Sequence, residues 1–166
     1  MTYSDMAPQT LTVLNPFDLT PVDSISEQTA DDIDALLEAS YALFRQRDTW
    51  LPLHQRIDIL EHCALLMEKR FDQLTKVAVL EGGKPLIDTR VEVVRSIDTI
   101  KSVIAALRSH HGQSMPAGLT PATEHHTAFT RTEPLGVVVA ISAFNHPINL
   151  IVHQVAPAVA AGCPVI

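Results

Sequence analysis

Apolar residues recur along this chain at two periods. Around residues 11–16 and 21–26 they alternate with polar ones on either side of Phe17-Asp-Leu-Thr, which predicts two short strands and a turn, a hairpin at a sheet edge. Residues 1–9 carry neither period and read as a disordered leader. Thr29 and Asp32 then form an approximate capping box, and Ile33, Leu36, Leu37, Ser40 or Tyr41, and Phe44 recur at helical spacing, so a helix ending near Asp48 follows. Pro52 suits the first position of a second helix over about 52–70, with Ile57, Leu60, Ala64, Met67 and Phe71 on one face. Asp72 is expected to cap a third, short helix that stops at Gly82-Gly83. After Pro85 comes the longest run, roughly 86–109, with Leu86, Val93, Ile97, Ile100, Ile104 and Leu107 on one stripe. Asp88, Glu92, Arg95 and Ser102 fall mostly off it.

Residues 110–127 turn to Gly, Pro, Ser, Thr and His and read as a connection, and 127–132 alternate as an exposed strand. Val137-Val-Val-Ala-Ile is continuously apolar and β-branched, the pattern of a strand buried on both faces of a parallel sheet. Pro147 opens a helix with Ile148, Ile151, Val152, Val155 and Val159 on one side, Gly162 ends it, and Pro164-Val-Ile begins another buried strand. This is the opening strand–helix–strand step of a doubly wound, nucleotide-binding type of sheet. The fold class is therefore α/β, with a hairpin and helices over 1–118, a connecting arm over 119–134 and an incomplete Rossmann-like unit over 135–166. A sheet of so few strands leaves edge groups unpaired, so the chain is expected to be part of a longer protein or to fold with a partner.

Composition narrows the partners. The 166 residues hold 12 Lys+Arg against 19 Asp+Glu, a net charge of −7, which lacks the basic footprint needed for nucleic acid or an anionic membrane surface. Two cysteines, Cys63 and Cys163, are too few for a disulfide framework and suit a reducing compartment. No basic stretch followed by an apolar one opens the chain, and the apolar runs over 135–141 and 148–166 are broken by Asn145, His146, His153, Gln154 and two prolines. The cytoplasm is the expected compartment.

Few residues suggest chemistry on their own. Both cysteines read as small buried hydrophobes. The doublets His110-His111 and His125-His126 have no Cys, Asp or Glu at ligand spacing, so solvated loop histidines are expected and no metal site. Glu81-Gly-Gly-Lys-Pro falls short of a phosphate loop and reads as a helix stop and restart. Asn145, at the carboxyl end of a buried strand and just ahead of a helix, can reach into the crevice where such sheets bind ligands, or can bond its own turn.

The segment Glu133-Pro-Leu-Gly-Val-Val-Val-Ala-Ile-Ser-Ala-Phe-Asn-His-Pro-Ile, followed by Ala156-Pro-Ala-Val-Ala-Ala-Gly-Cys-Pro, resembles the aldehyde dehydrogenase superfamily. Asn15-Pro16, Arg56-x-x-Ile-Leu and Glu81-Gly-Gly-Lys-Pro extend the resemblance over the whole chain, and Ala-Phe-Asn-His-Pro is similar to the branch with glyceraldehyde-3-phosphate, lactaldehyde and phosphonoacetaldehyde dehydrogenases. The resemblance implies NAD(P)-dependent oxidation of a small aldehyde through a cysteine thiohemiacetal. Asn145 would donate a hydrogen bond to the oxygen as it becomes an oxyanion, and Ile141, Ser142, Ala143 and Phe144 would line the nicotinamide side of an NAD or NADP cleft. Arg95 and His146 together could hold a phosphate or phosphonate on the aldehyde. Arg95 could instead pair with Glu92 and Asp98, and His146 could instead cap the helix. Neither cysteine is the family's nucleophile, which, with its general base, is expected beyond Ile166, so no turnover is expected from these residues alone. The 119–134 arm implies a homodimer or homotetramer. The alternative is a truncated, non-enzymatic chain that keeps only such oligomerisation surfaces.

Overall fold

Helix α4 (Leu86–Ser109) is the axis of the structure, because its long buried stripe meets three other helices. The computed structural model describes residues 9–166, so the leader expected over 1–9 lies outside the described residues except for Gln9. Val93, Ile97, Ile100 and Ile104 of α4 form one core with Leu60 and Ala64 of α2 (Leu53–Lys69) and with Ala156 and Ala160 of α5 (Pro147–Ala161). Alanine on the α5 side permits close approach of the two helices. α3 (Phe71–Gly82) packs on the same axis and stops at Gly83.

Helix α4 corrects one expectation at its centre. Glu92 does not lie off the stripe: it is 1% exposed, in line with Thr89, Val93 and Ser96. The two hydroxyls avoid a desolvation cost by donating to carbonyls one turn back, Thr89 to Pro85 at 3.0 Å and Ser96 to Glu92 at 2.9 Å. Leu86, at the outer end of the stripe, is exposed.

The hairpin forms as expected. β1 (Thr10–Leu14) and β2 (Pro21–Ser26) are antiparallel with Thr10 opposite Ser26, and among the described residues they pair with no third strand. Their turn is held by Asn15 Oδ1, which accepts the Phe17 N–H at 2.9 Å, and by the Asp18 carboxylate, which accepts from the Thr20 hydroxyl at 2.7 Å. α1 (Ala30–Arg45) opens on the Thr29–Asp32 capping box and ends before Asp48, after which residues 47–49 make a tight 3₁₀ turn. Its apolar side, including Ile33, Leu36 and Tyr41, stays exposed among the described residues.

Two caps differ from expectation. Pro52 sits in the N-cap of α2 rather than in its first turn, with an extended ψ of 157°. Asp72 lies inside α3, whose N-cap is Arg70, and accepts a hydrogen bond from Arg90 at 3.0 Å instead of capping the helix. Cys63 is also misplaced by the sequence reading: it falls at the edge of the Leu60–Ala64 stripe and is exposed, whereas Cys163 is buried.

The connection contains a short ladder of β3 (Ser114–Met115) with β4 (Ala128–Phe129). Beyond it, the strand–helix–strand unit appears as one parallel bridge, Val138 with Val165, flanked by the hydrogen bonds Val138 N–H to Pro164 and Ala140 N–H to Ile166. Burial on both faces does not follow. Val139 and Ile141 are exposed because nothing among the described residues covers that side of the bridge. No helix among the described residues is long and apolar enough to cross a membrane.

Candidate functional site

Pro147 starts α5 at the position where its missing N–H costs nothing. His146 precedes it in the N-cap, yet its side chain makes no capping bond, which removes the helix-cap reading. The cap comes from another helix. Oε1 of Glu92 accepts the N–H groups of Ile148 at 2.9 Å and Asn149 at 3.2 Å, placing a carboxylate against the positive end of the α5 dipole. Its other oxygen receives the ammonium of Lys84, which also donates to His146 Nδ1 at 2.9 Å. His146 Nδ1 lies 3.5 Å from that same carboxylate oxygen.

Desolvation pulls the Glu92 carboxyl upward, but the hydrogen bond and charge of Lys84 and the Asn149 and Ile148 amides outweigh it and hold the group below its ordinary value. A buried charge is tolerated here because every partner it needs is supplied by the fold. Lys84 reaches it from the turn after α3, where Gly83 takes φ +63°. A Cβ on Gly83 would stand 2.6 Å from Pro16 Cγ, so the hairpin and this turn meet at a place only glycine fills without strain.

The loop between the bridge and α5 carries most of the residues singled out above. Gln154 of α5 holds its start from both sides: Ile141 N–H donates to Gln154 Oε1, and Gln154 Nε2 donates to the Ile141 carbonyl, each at 2.8 Å. Ser142 donates to the Pro147 carbonyl at 3.4 Å. Ile141 and Phe144 are 76% and 92% exposed and Ala143 is half-buried between them. The N–H groups of Ser142, Ala143 and Phe144 donate to no protein acceptor among the described residues. Asn145 is exposed, and its amide has no protein partner among the described residues, unlike the turn-bonded Asn15.

Arg95 is exposed on α4 and, among the described residues, joins no ion pair; Glu92, its expected partner at i−3, is taken by Lys84. It lines a groove of about 470 Å³ between α4 and α5 with Asp98, Thr99, Ser102 and His153, where Thr99 Oγ1 and His153 Nε2 lie 3.1 Å apart. His146 is not part of that lining, so the structure does not bring Arg95 and His146 into one hollow. A separate cleft of about 480 Å³, beside Arg56, Leu107 and Pro134, takes in His110 and His111 but none of Arg95, Asn145, His146 or the 141–144 loop residues. The histidine doublets are exposed; His110 meets Thr132 Oγ1 at 2.8 Å and His111 the Ser109 carbonyl at 2.8 Å.

Sequence reading missed Lys84, Glu92 and Gln154. For Glu92 the signal was present, since Thr89, Glu92, Val93 and Ser96 share the i, i+3, i+4, i+7 spacing of one helix face. Asn149, 5% exposed with an Oδ1 that lacks a partner among the described residues, was read only as part of the helix.

The family model described as the aldehyde dehydrogenase family matches residues 3–166. A 3-sulfolactaldehyde dehydrogenase of Priestia aryabhattai is 36% identical over 155 residues, which cover 93% of this chain and 32% of that protein. A lactaldehyde dehydrogenase of Methanocaldococcus jannaschii is 31% identical over 150 residues, 90% of this chain and 31% of that protein. Among solved structures, a glyceraldehyde-3-phosphate dehydrogenase of the same archaeon, complexed with NADP, superposes with a TM-score of 0.83 at 30% identity. The match covers 93% of this chain and 32% of that one. The chain thus spans about a third of the length of the relatives it matches.

Proposed function

Because the chain belongs to the aldehyde dehydrogenase family, we propose that it serves as the N-terminal part of a cytoplasmic, NAD(P)-dependent enzyme that oxidises a small aldehyde to the carboxylate. The observation that carries this reading is Asn145: an exposed, unpartnered amide beside the first turn of α5, on a loop anchored at one end by Gln154 and at the other by Glu92. An amide held in this way is preorganised to donate to an oxygen that gains charge during the reaction. The aldehyde carbon would be attacked by a cysteine thiolate from outside these residues, since Cys163 is buried and Cys63 lies on α2, away from the loop.

NAD(P)⁺, when bound, supplies the hydride acceptor. The residues present fit it. Exposed Ile141 and Phe144 offer apolar surface for a flat ring, and the uncommitted N–H groups between them offer donors for its polar substituent. The segments 1–118, 119–134 and 135–166 are assigned to the N-terminal hairpin with the helical part, an oligomerisation arm that contains β4 and would support a homodimer or homotetramer, and the start of the cofactor domain.

The aldehyde is proposed to carry an anionic group. Arg95 is free to meet one, and the relatives named above include enzymes of phosphorylated and sulfonated aldehydes. Because His146 does not line the groove that holds Arg95 and sits in the N-cap next to Asn145, Arg95 is given the anion and His146 a place nearer the reacting oxygen. The test is an assay of the protein from its complete coding sequence against small aldehydes with and without phosphate, phosphonate or sulfonate. Aldehyde-dependent NAD(P)H formation that favours the anionic members is expected; no NAD(P)H with any aldehyde would refute the reading. The 166-residue chain alone is expected to give none.

A further inference from the structure

Lys84, Glu92 and His146 form a connected cluster at the start of α5, next to Asn145, and the proposed chemistry makes no use of the first two beyond the helix cap. Each comes from a different place: the turn after α3, the buried face of α4 and the N-cap of α5. Glu92 is fully enclosed and bonds two backbone amides of the α5 first turn, starting three residues beyond Asn145. Lys84 carries three donors and no acceptor, so its 2.9 Å contact makes His146 Nδ1 the acceptor and leaves the ring proton on Nε2. A histidine ring has two tautomers, and this one leaves the donor on the nitrogen that Lys84 does not engage, in a side chain that is 44% exposed.

We infer that Lys84 and Glu92 are positioning residues of the proposed aldehyde site: Glu92 fixes the direction of the Asn145 amide by locking the first turn of α5, and Lys84 fixes His146 as an Nε2–H donor toward the substrate. The inference rests on the proposed function, because it needs a substrate oxygen in front of the loop. It assigns the cluster an effect on the reaction beyond its effect on folding. A buried ion pair that only stabilised the fold would lower the amount of active protein and leave the remaining active molecules unchanged.

The experiment is a pair of double-mutant cycles in the full-length enzyme, each read as kcat per folded active site with KM for the cofactor measured beside it. In the first cycle, Glu92→Gln is expected to lower kcat about tenfold with cofactor KM within about twofold, and to cost little more once Asn145→Ala is present. In the second, His146→Gln places an amide N–H near the position of Nε2 and His146→Asn near that of Nδ1. His146→Gln is expected to keep most of kcat/KM and His146→Asn to lose about tenfold. Lys84→Met should be costly in the wild-type background, nearly silent beside His146→Gln, and rescued by Lys84→Arg, which can donate to the same two acceptors. Additive effects in both cycles, or equal losses for His146→Gln and His146→Asn, would overturn the inference while leaving the enzyme reading intact. Should Glu92→Gln not fold, the Lys84–His146 cycle decides alone. A wild-type enzyme that oxidises no aldehyde would overturn both readings together.

Discussion

The Glu92 carboxylate on α4 accepts the Ile148 N–H at 2.9 Å, 56 residues away in sequence, and so supplies the N-terminal cap that α5 lacks from its own N-cap residue. This contact, with the Lys84 pair behind it, ties the longest helix to the loop that carries Asn145.

Removing the carboxylate strands the Lys84 ammonium, whose side chain is only 17% exposed, and exposes two first-turn amides without a partner. Glu92→Ala is expected to destabilise the protein by about 3–5 kcal/mol, as loss of one member of a buried ion pair does. Glu92→Gln, which keeps an acceptor for the amides, should cost less. Urea unfolding of the three proteins checks the order.

Acid should act through the same group. The folded value of Glu92 lies below its ordinary one, so its contribution is complete above about pH 4.3 and disappears as pH falls through the lower, folded value. The stability gap between wild type and Glu92→Gln is therefore expected to narrow as pH drops from about 5 toward 3. Asp32 and Glu133 are held low as well, so the wild-type curve alone would mix their contributions. A gap that stays constant over that range would contradict this assignment.

At Gly83, alanine must adopt φ +63° and also push against the Pro16 ring 2.6 Å away. Gly83→Ala is expected to cost about 1–2 kcal/mol for the left-handed backbone alone, and more for the clash. Thermal unfolding should show Gly83→Ala well below Gly82→Ala, since a Cβ on Gly82 meets nothing nearer than Lys84 Cγ at 4.0 Å.

Helices were legible from the sequence because their apolar residues recur at a fixed period and their ends carry proline or glycine: α4 spans 86–109 as expected, and α5 runs from Pro147 to the turn at Gly162. The cluster was not legible for a complementary reason. Glu92 occupies a core position by spacing but is polar by composition; its partners Ile148 and Asn149 become neighbours only when α4 and α5 pack, and Lys84 only when the turn after α3 folds back along α4. The alternative pairing of Arg95 with Glu92 fails on the same ground, because local spacing cannot show that Lys84 reaches the carboxylate first. Burial of Val139 and Ile141 was overestimated because an apolar, β-branched run reports what a strand can be packed against. It does not report whether the covering residues lie within the same 166. Asn145 was singled out by its place between a parallel pairing and a helix, and the fold keeps that place, between the Val138 bridge and α5.

Arg95 has no partner to lose among the described residues, so its removal should be read in substrate choice and not in stability. In the proposed enzyme, Arg95→Ala is expected to lower kcat/KM for phosphorylated or sulfonated aldehydes about tenfold or more, with little change for neutral ones and for the unfolding midpoint. Equal kcat/KM for both classes before and after substitution would remove Arg95 from the substrate site.

The most direct measurement of the account is kcat for aldehyde oxidation by the full-length protein and its Asn145→Ala variant, at saturating NAD(P)⁺ and equal folded concentration. Loss of one oxyanion donor predicts a fall of about 10²–10³-fold in kcat with the cofactor KM nearly unchanged. An Asn145→Ala enzyme that turns over within about twofold of wild type would contradict the assignment of Asn145 as that donor.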